Sequence, residues 1–475
     1  MKLWAIVGVG MFVSILMWGI ERFGGPKVDL TQGSGICTLL KANEGISACT
    51  RAIESGMYTG SGLARNYGNR GVKYAETGDL DRAIADYNKA LEIDTKLVTI
   101  IPNRGVAYGR IDEYDRAIAD FNRWIEINWR DAESHNNRGL MYRNKGDLEF
   151  AMADFSKAIE FDPKFVTAYN NRGSGYFAKG EHDRAIVDFS QAIAINPNYA
   201  NAYNNRGAVY VAKGDIERGL VDYNKTIEID PKFVKAYYNR GLAYAAKGDR
   251  DRAITEFNKT IDIDPKVVEA YIDRGSAYDA KGDRDRAILD YNTAIDVDPK
   301  NAAAYMNRGT VYQSRGEHER ALLEYNKAIE IDTRSFKAYY NRGLVYAVKG
   351  DFDRAIVDFS KAIEIDPKFA LAYGQRGSIY RAKGDNDRAI VEYSKAIEIN
   401  PRFTNAYNLR GIAYRAKGNP DRAIADFSKA IELNPKDAGA YYYRRVLYRA
   451  KGDIGRANAD YNKAVGIDPK LATAR

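Results

Sequence analysis

Three recurring side-chain patterns have a spacing that could do chemistry. Arginine stands at Arg70 and at every 34th position through Arg444, twelve times in all, and sixteen residues after each comes an acid, nine Asp and three Glu, as at Asp86, Asp188, Glu256 and Asp358. Two partners that recur together point to an internal ion pair tying two elements, in preference to a ligand site. Such a pair fixes register more surely than it adds stability, because desolvation offsets much of the attraction. Immediately before the arginine stands asparagine, at Asn69, Asn103, Asn137, Asn171, Asn205, Asn239, Asn307 and Asn341, with Asp273 interrupting. A primary amide offers a donor and an acceptor together, which suits a peptide unit. Asparagine is also a mediocre helix former, so its repetition at one place calls for more than tolerance. The third pattern is Arg381, Arg415 and Arg449, where earlier units carry varied residues such as Ala75, Phe177, Val211, Ala245, Asp279 and Ala347. Like charges side by side are unfavourable unless an anion or acidic segment sits among them; the plainer alternative is that arginine, a good helix former, is tolerated on an open surface.

Enzyme chemistry has little to stand on. The three histidines, His135, His182 and His318, lie in different units and are not spaced as ligands. Neither a nucleophile elbow nor a P-loop nor a paired-cysteine motif is present, and Gly33-Ser34-Gly35 belongs to a linker. No cofactor and no metal are expected. The formal charge of +8 is spread over 72 basic and 64 acidic residues without a block of one sign, a mixed solvated surface and not a nucleic-acid footprint.

The elements that must position these side chains are best seen from Ala338 to Pro367. Tyr339, Gly343 and Tyr346 share one helical face, and Gly350 predicts a stop near Lys349. After Asp351, an N-cap residue by type, the residues Ala355, Ile356, Phe359, Ala362 and Ile363 form a second amphipathic face that Pro367 ends. The unit is a helical hairpin too small to bury its apolar stripes alone, so it must stack on copies of itself. Those copies exist: the glycine after the arginine recurs without insertion at 34-residue steps from Gly71 to Gly411, and Arg445 takes its twelfth place. A tyrosine follows that place by three residues and an aromatic by sixteen in all twelve units; an alanine follows by twelve in eleven, Gly219 excepted. A proline follows by twenty-four in nine, with Thr95, Trp129 and Thr333 as departures.

This period and skeleton resemble the tetratricopeptide repeat (TPR) family over roughly 410 of the 475 residues. The resemblance implies an all-α, right-handed superhelical solenoid of twelve 34-residue hairpins over 64–469, with a protein or peptide partner in its concave groove. In this family first helices line the groove, and the asparagine place faces into it. The row is similar to the asparagine ladder of the O-linked N-acetylglucosamine transferase, whose amides hold an extended peptide backbone, so Asn103, Asn137, Asn171, Asn205, Asn239, Asn307 and Asn341 are expected to bind peptide. The transferase's catalytic domain has no counterpart. The carboxylate clamp of chaperone-binding repeats is also absent, because Val72, Leu140, Ser174 and Ala208 follow the glycine where that clamp has asparagine. Arg381, Arg415 and Arg449 fall at another groove-facing place, where the asparagine row has given way to Gln375, Leu409 and Tyr443; a separate anionic group is expected there.

The ends differ from the repeats. Leu3 to Ile20 is an uncharged, mostly apolar stretch, so residues 1–23 read as a signal peptide or, because no Ala-x-Ala-like site follows, an uncleaved signal anchor. Lys2 competes with Arg22 and Lys27 and leaves the orientation weakly specified. Residues 24–35 read as a linker, and 36–63 as a degenerate hairpin, Ile36 to Leu40 and Ile46 to Glu54, capping the first repeat. Export makes Cys37 and Cys49, the only two cysteines, a disulfide in preference to a metal site. At the other end Asn458 and Arg445 give the last repeat a polar outer face, and 470–475 is a tail. The expected place is the cell envelope, with the repeats tethered on the exported, periplasmic side, or released into the periplasm if the signal is cleaved. Two rival roles remain: a self-assembling envelope protein forming homo-oligomers through incompletely capped ends, and an accessory subunit of an envelope or secretion complex.

Overall fold

The computed structural model describes residues 40–472. Among them are 25 α-helices and no strand, the all-α helical repeat solenoid that the period implies. Residues 1–23, the linker 24–35 and Cys37 lie outside the described residues, and among those described no helix is long and apolar enough to cross a membrane.

Within a repeat the sequence signals act where they stand. The helix Phe336–Val348 ends against Lys349, and Gly350, at φ +78°, closes the turn with its N–H on the Ala347 carbonyl. Asp351 then caps Phe352–Ile365 by accepting from the Arg354 backbone N–H at 3.1 Å. The glycine that marks each repeat has a packing reason: a Cβ on Gly343 would come 2.8 Å from the Phe359 ring, so the two helices meet ring against bare backbone. Gly219, in the place of the usual alanine, has one too, since its Cβ would stand 2.5 Å from Cγ2 of Val211. In the last repeat the Arg445 guanidinium lies 4.3 Å from the centroid of Tyr461, stacking on the ring that elsewhere covers glycine.

The chain divides between Ala243 and Tyr244 into two compact units. The first has a continuous apolar core from Tyr74 to Phe155, with Ile100, Ile101, Phe121 and Met141 at its centre. Where Thr95 replaces proline, a 3-10 turn over Val98–Ile100 leads into Ile101–Arg110. Ahead of the first repeat, Ile46 to Glu54 forms part of a longer helix, Ala42–Glu54, which carries the fully buried Cys49. The second unit holds successive smaller cores, around Tyr291 and Val311 and around Phe427 and Leu447, and ends in a 3-10 turn, Pro469–Ala472.

Candidate functional site

The arginine–acid pairs are internal, as their joint recurrence predicts. Arg172 donates through Nε to Asp188 Oδ2 and through Nη2 to Oδ1, both at 2.8 Å, which holds its guanidinium above the usual pKa. Its Nη1 makes a further bond that the period alone does not predict, to Ser156 Oγ on the second helix of the preceding repeat. The same third bond runs from Arg104 to Asn88, Arg138 to Asn122, Arg274 to Asn258 and Arg410 to Ser394. The pair is therefore a three-point clamp joining both helices of one repeat to its neighbour. Arg70 reaches Thr50 in this way, which brings Ala42–Glu54 into the array. Where the acid is glutamate the fit is poorer. Nη2 of Arg308 takes both oxygens of Glu324, and its Nε is left buried without a partner; Arg376 and Glu392 repeat this. The extra methylene of Glu brings its carboxylate to the tip of the fork and away from its side.

The asparagine row lies lower than an open groove requires. Asn103, Asn137, Asn171 and Asn239 are buried, whereas Asn205, Asn307 and Asn341 are half-buried. In the first unit the row is bonded to a second row, one residue earlier in the preceding repeat. Asn171 donates to Asn136 Oδ1 at 2.9 Å, Asn205 to Asn170 Oδ1 at 3.0 Å, and Asn239 to Asn204 Oδ1 at 3.0 Å. Within a repeat Asn204 donates to Asn205 and Asn136 to Asn137. Amide strings result, one running Asn239–Asn204–Asn205–Asn170 and another Asn171–Asn136–Asn137. The second stops for a covalent reason. The place that would accept from Asn137 is Pro102, which has no side-chain acceptor, and Asn137 Nδ2, on a side chain 3% exposed, has no partner. In the second unit the same two places hold Tyr340, packed edge-on against Phe369 and tilted on Phe359, and Gln375.

Of the three expected anion-binding arginines, all in the second unit, Arg415 and Arg449 are exposed and Arg381 is half-buried, its Nε without a partner. The Arg415 guanidinium lies 5.1 Å from the Tyr443 ring centroid, and that ring stacks on Phe427 at 5.6 Å. Arg445 lies near Tyr442 as well as Tyr461.

Models of the TPR repeat match at 173–214, 209–248, 275–314, 311–350 and 377–418. Further tetratricopeptide repeat models match at 64–96, 132–165, 336–369 and 404–437, at 234–267, at 359–391 and at 446–471. The chain belongs to the tetratricopeptide repeat family. No curated protein matches it. Among solved structures it is similar to the APC/C hetero-tetramer Cut9–Hcn1, at 15% identity over 90% of each chain with a TM-score of 0.46. It is also similar to YrrB, described as a TPR protein with an unusual peptide-binding site, at 30% identity over 38% of this chain and 92% of that one, TM-score 0.34. MamA matches at 34% identity over 37% and 95% of the two chains, TM-score 0.33.

The histidines of this TPR scaffold are built into separate repeats. His135 is buried, with Nδ1 3.2 Å from Asp154 Oδ1 and Nε2 3.0 Å from the Trp129 carbonyl. Burial opposes ionisation of Asp154, yet its bonds from Arg138 and His135 hold the carboxyl below the usual carboxylate range. His182 packs on Phe177 with ring centroids 5.5 Å apart. Two of the structural features above did leave a sequence signal: Asn or Ser recurs at 34-residue steps at Asn88, Asn122 and Ser156, and Asn136, Asn170 and Asn204 form their own row.

Proposed function

We propose that this chain is a non-enzymatic scaffold that holds extended segments of a partner protein against the first helices of its repeats, twelve hairpins in a right-handed array. The asparagine ladder receives the segment's backbone. The observation that carries the proposal is the pair Asn307 and Asn341: half-buried amides at the ladder's register that make no side-chain hydrogen bond among the described residues. Each such amide offers a donor and an acceptor to a peptide unit, worth a net ~0.5 to 1.5 kcal/mol per hydrogen bond. The half-buried Asn205, Asn307 and Asn341 are the members of the row that a ligand meets directly, while Asn171 and Asn239 hold neighbouring amides in place.

The apolar run Leu3 to Ile20 supports a place at the cell envelope, with the repeats tethered on the exported side and Cys37 bridged to Cys49. Photo-crosslinking of the full chain in envelope membranes, followed by capture, tests both halves. Asn307→Ala removes a half-buried amide that makes no side-chain hydrogen bond among the described residues, so folding is retained. Partner yield is expected to fall by about two- to tenfold, the worth of one hydrogen bond. Equal yield from the folded variant refutes the ladder, and recovery of the chain from the cytosol refutes the location.

A further inference from the structure

The last repeats gather guanidinium groups that no described carboxylate neutralises. Arg410 and Arg444 are bound in clamps with Asp426 and Asp460, but Arg381, Arg415 and Arg449, at one register of three successive first helices, make no ion pair among the described residues. Elsewhere in the same unit that register is neutral, at Ala245, Gln313 and Ala347, or acidic and paired, at Asp279, 3.7 Å from Arg284 with Arg315 also acting on it. Within this unit only the last three repeats place a cation there. Arg445 adds a further cation, set against the faces of Tyr442 and Tyr461. Tyr443, backed by Phe427, fixes the Arg415 guanidinium from one side and leaves the residue exposed. A guanidinium held on a ring has less rotamer freedom to lose when it meets an anion.

We infer that Arg381, Arg415 and Arg449, with Arg445 beside them, form a docking strip for an acidic peptide segment, separate from the asparagine ladder. The inference rests on the protein-binding reading and adds the chemistry of the partner. Neighbouring helices stand about 10 Å apart, and a segment in the polyproline II conformation rises about 3.1 Å per residue and returns to the same face every third residue, so the complementary segment carries a carboxylate roughly every third residue. A nucleic-acid strand fits less well. It carries a charge at each nucleotide and needs a long basic track, whereas this chain intersperses 64 acidic residues with its 72 basic ones.

The probes are a fluorescent twelve-residue peptide with Glu at every third position, its Glu→Gln counterpart, and a twelve-nucleotide oligothymidylate. Each is titrated by anisotropy against the full chain in low and in high salt. The Glu peptide is expected to bind, to weaken about tenfold in high salt, and to weaken about tenfold on Arg381→Gln/Arg415→Gln/Arg449→Gln, more on the corresponding changes to Glu. Circular dichroism confirms that the variants fold; if the Glu reversal does not fold, the Gln set decides. The inference is overturned if the acidic peptide does not bind, if the Gln peptide binds as well, if the Gln set leaves affinity unchanged in low salt, or if the oligothymidylate binds more tightly through the same arginines. Asn307→Ala, two repeats before the strip, leaves acidic-peptide affinity unchanged, so failure of the ladder and failure of the strip are read separately.

Discussion

Arg206→Met isolates what the three-point clamp does. The arginine donates to both oxygens of Asp222 at 2.8 Å and to Ser190 Oγ of the preceding repeat at 3.0 Å. Methionine keeps most of the apolar stem but leaves Asp222, 3% exposed, as a buried carboxylate without its partner. Breaking a buried pair from one side costs about 3 to 5 kcal/mol. The Arg206 side chain retains 19% of its exposure, so the lower end, about 3 kcal/mol, applies. Arg206→Met/Asp222→Leu removes both charges and is expected to recover most of that loss. A repeat array does not unfold as one two-state unit, so the readout is native-state hydrogen exchange on Ala200–Ala212 and Ile216–Ile229. The single variant should lose about 100-fold protection there. A loss under about threefold, or a double variant as unprotected as the single, refutes the buried-pair argument.

Burial and the neighbouring Asp131 push the Glu133 carboxyl up to about 7. The folded state therefore holds this proton more tightly than the unfolded one, and stability falls as pH rises from the ordinary Glu range through 7. Glu133→Gln should match the parent's thermal midpoint at pH 5 and exceed it at pH 8; an equal offset at both pH values contradicts this. Gly219→Ala alone should destabilise, because its methyl meets Val211, whereas Val211→Ala/Gly219→Ala should regain about 1 kcal/mol over Gly219→Ala, the low end of an overpacking cost, by native-state hydrogen exchange on Ala200–Ala212 and Ile216–Ile229; no difference between the two refutes the packing account. Protein isolated from membranes without reductant should show Cys37 and Cys49 two hydrogens lighter than the dithiol by mass spectrometry, and two alkylatable thiols would remove both the bridge and much of the case for export. Glu324→Asp should bring the acid alongside Nε of Arg308 and slow exchange in His318–Ile331, and unchanged exchange would show that the fork was already satisfied.

Periodicity alone determined the family, the helix pairs and the pairing of each arginine with the acid sixteen residues on, because those contacts lie inside one repeat and depend only on helical geometry. The turn at Gly350, the cap at Asp351 and the ring of Phe359 over Gly343 were equally legible. What joins one repeat to the next left only rows of Asn and Ser, with nothing along the chain to say which residues meet. A 34-residue period brings equivalent places to mind as neighbours, yet Asn136 meets Asn171 and Asn170 meets Asn205, 35 residues apart. That offset comes from how staggered helices present side chains that lean toward their own N-termini, which no spacing along the chain records. For the same reason the burial of the asparagine row, the donor stranded at Asn137 beside Pro102, and the seat of Arg415 on Tyr443 were decided only once the repeats were packed against one another.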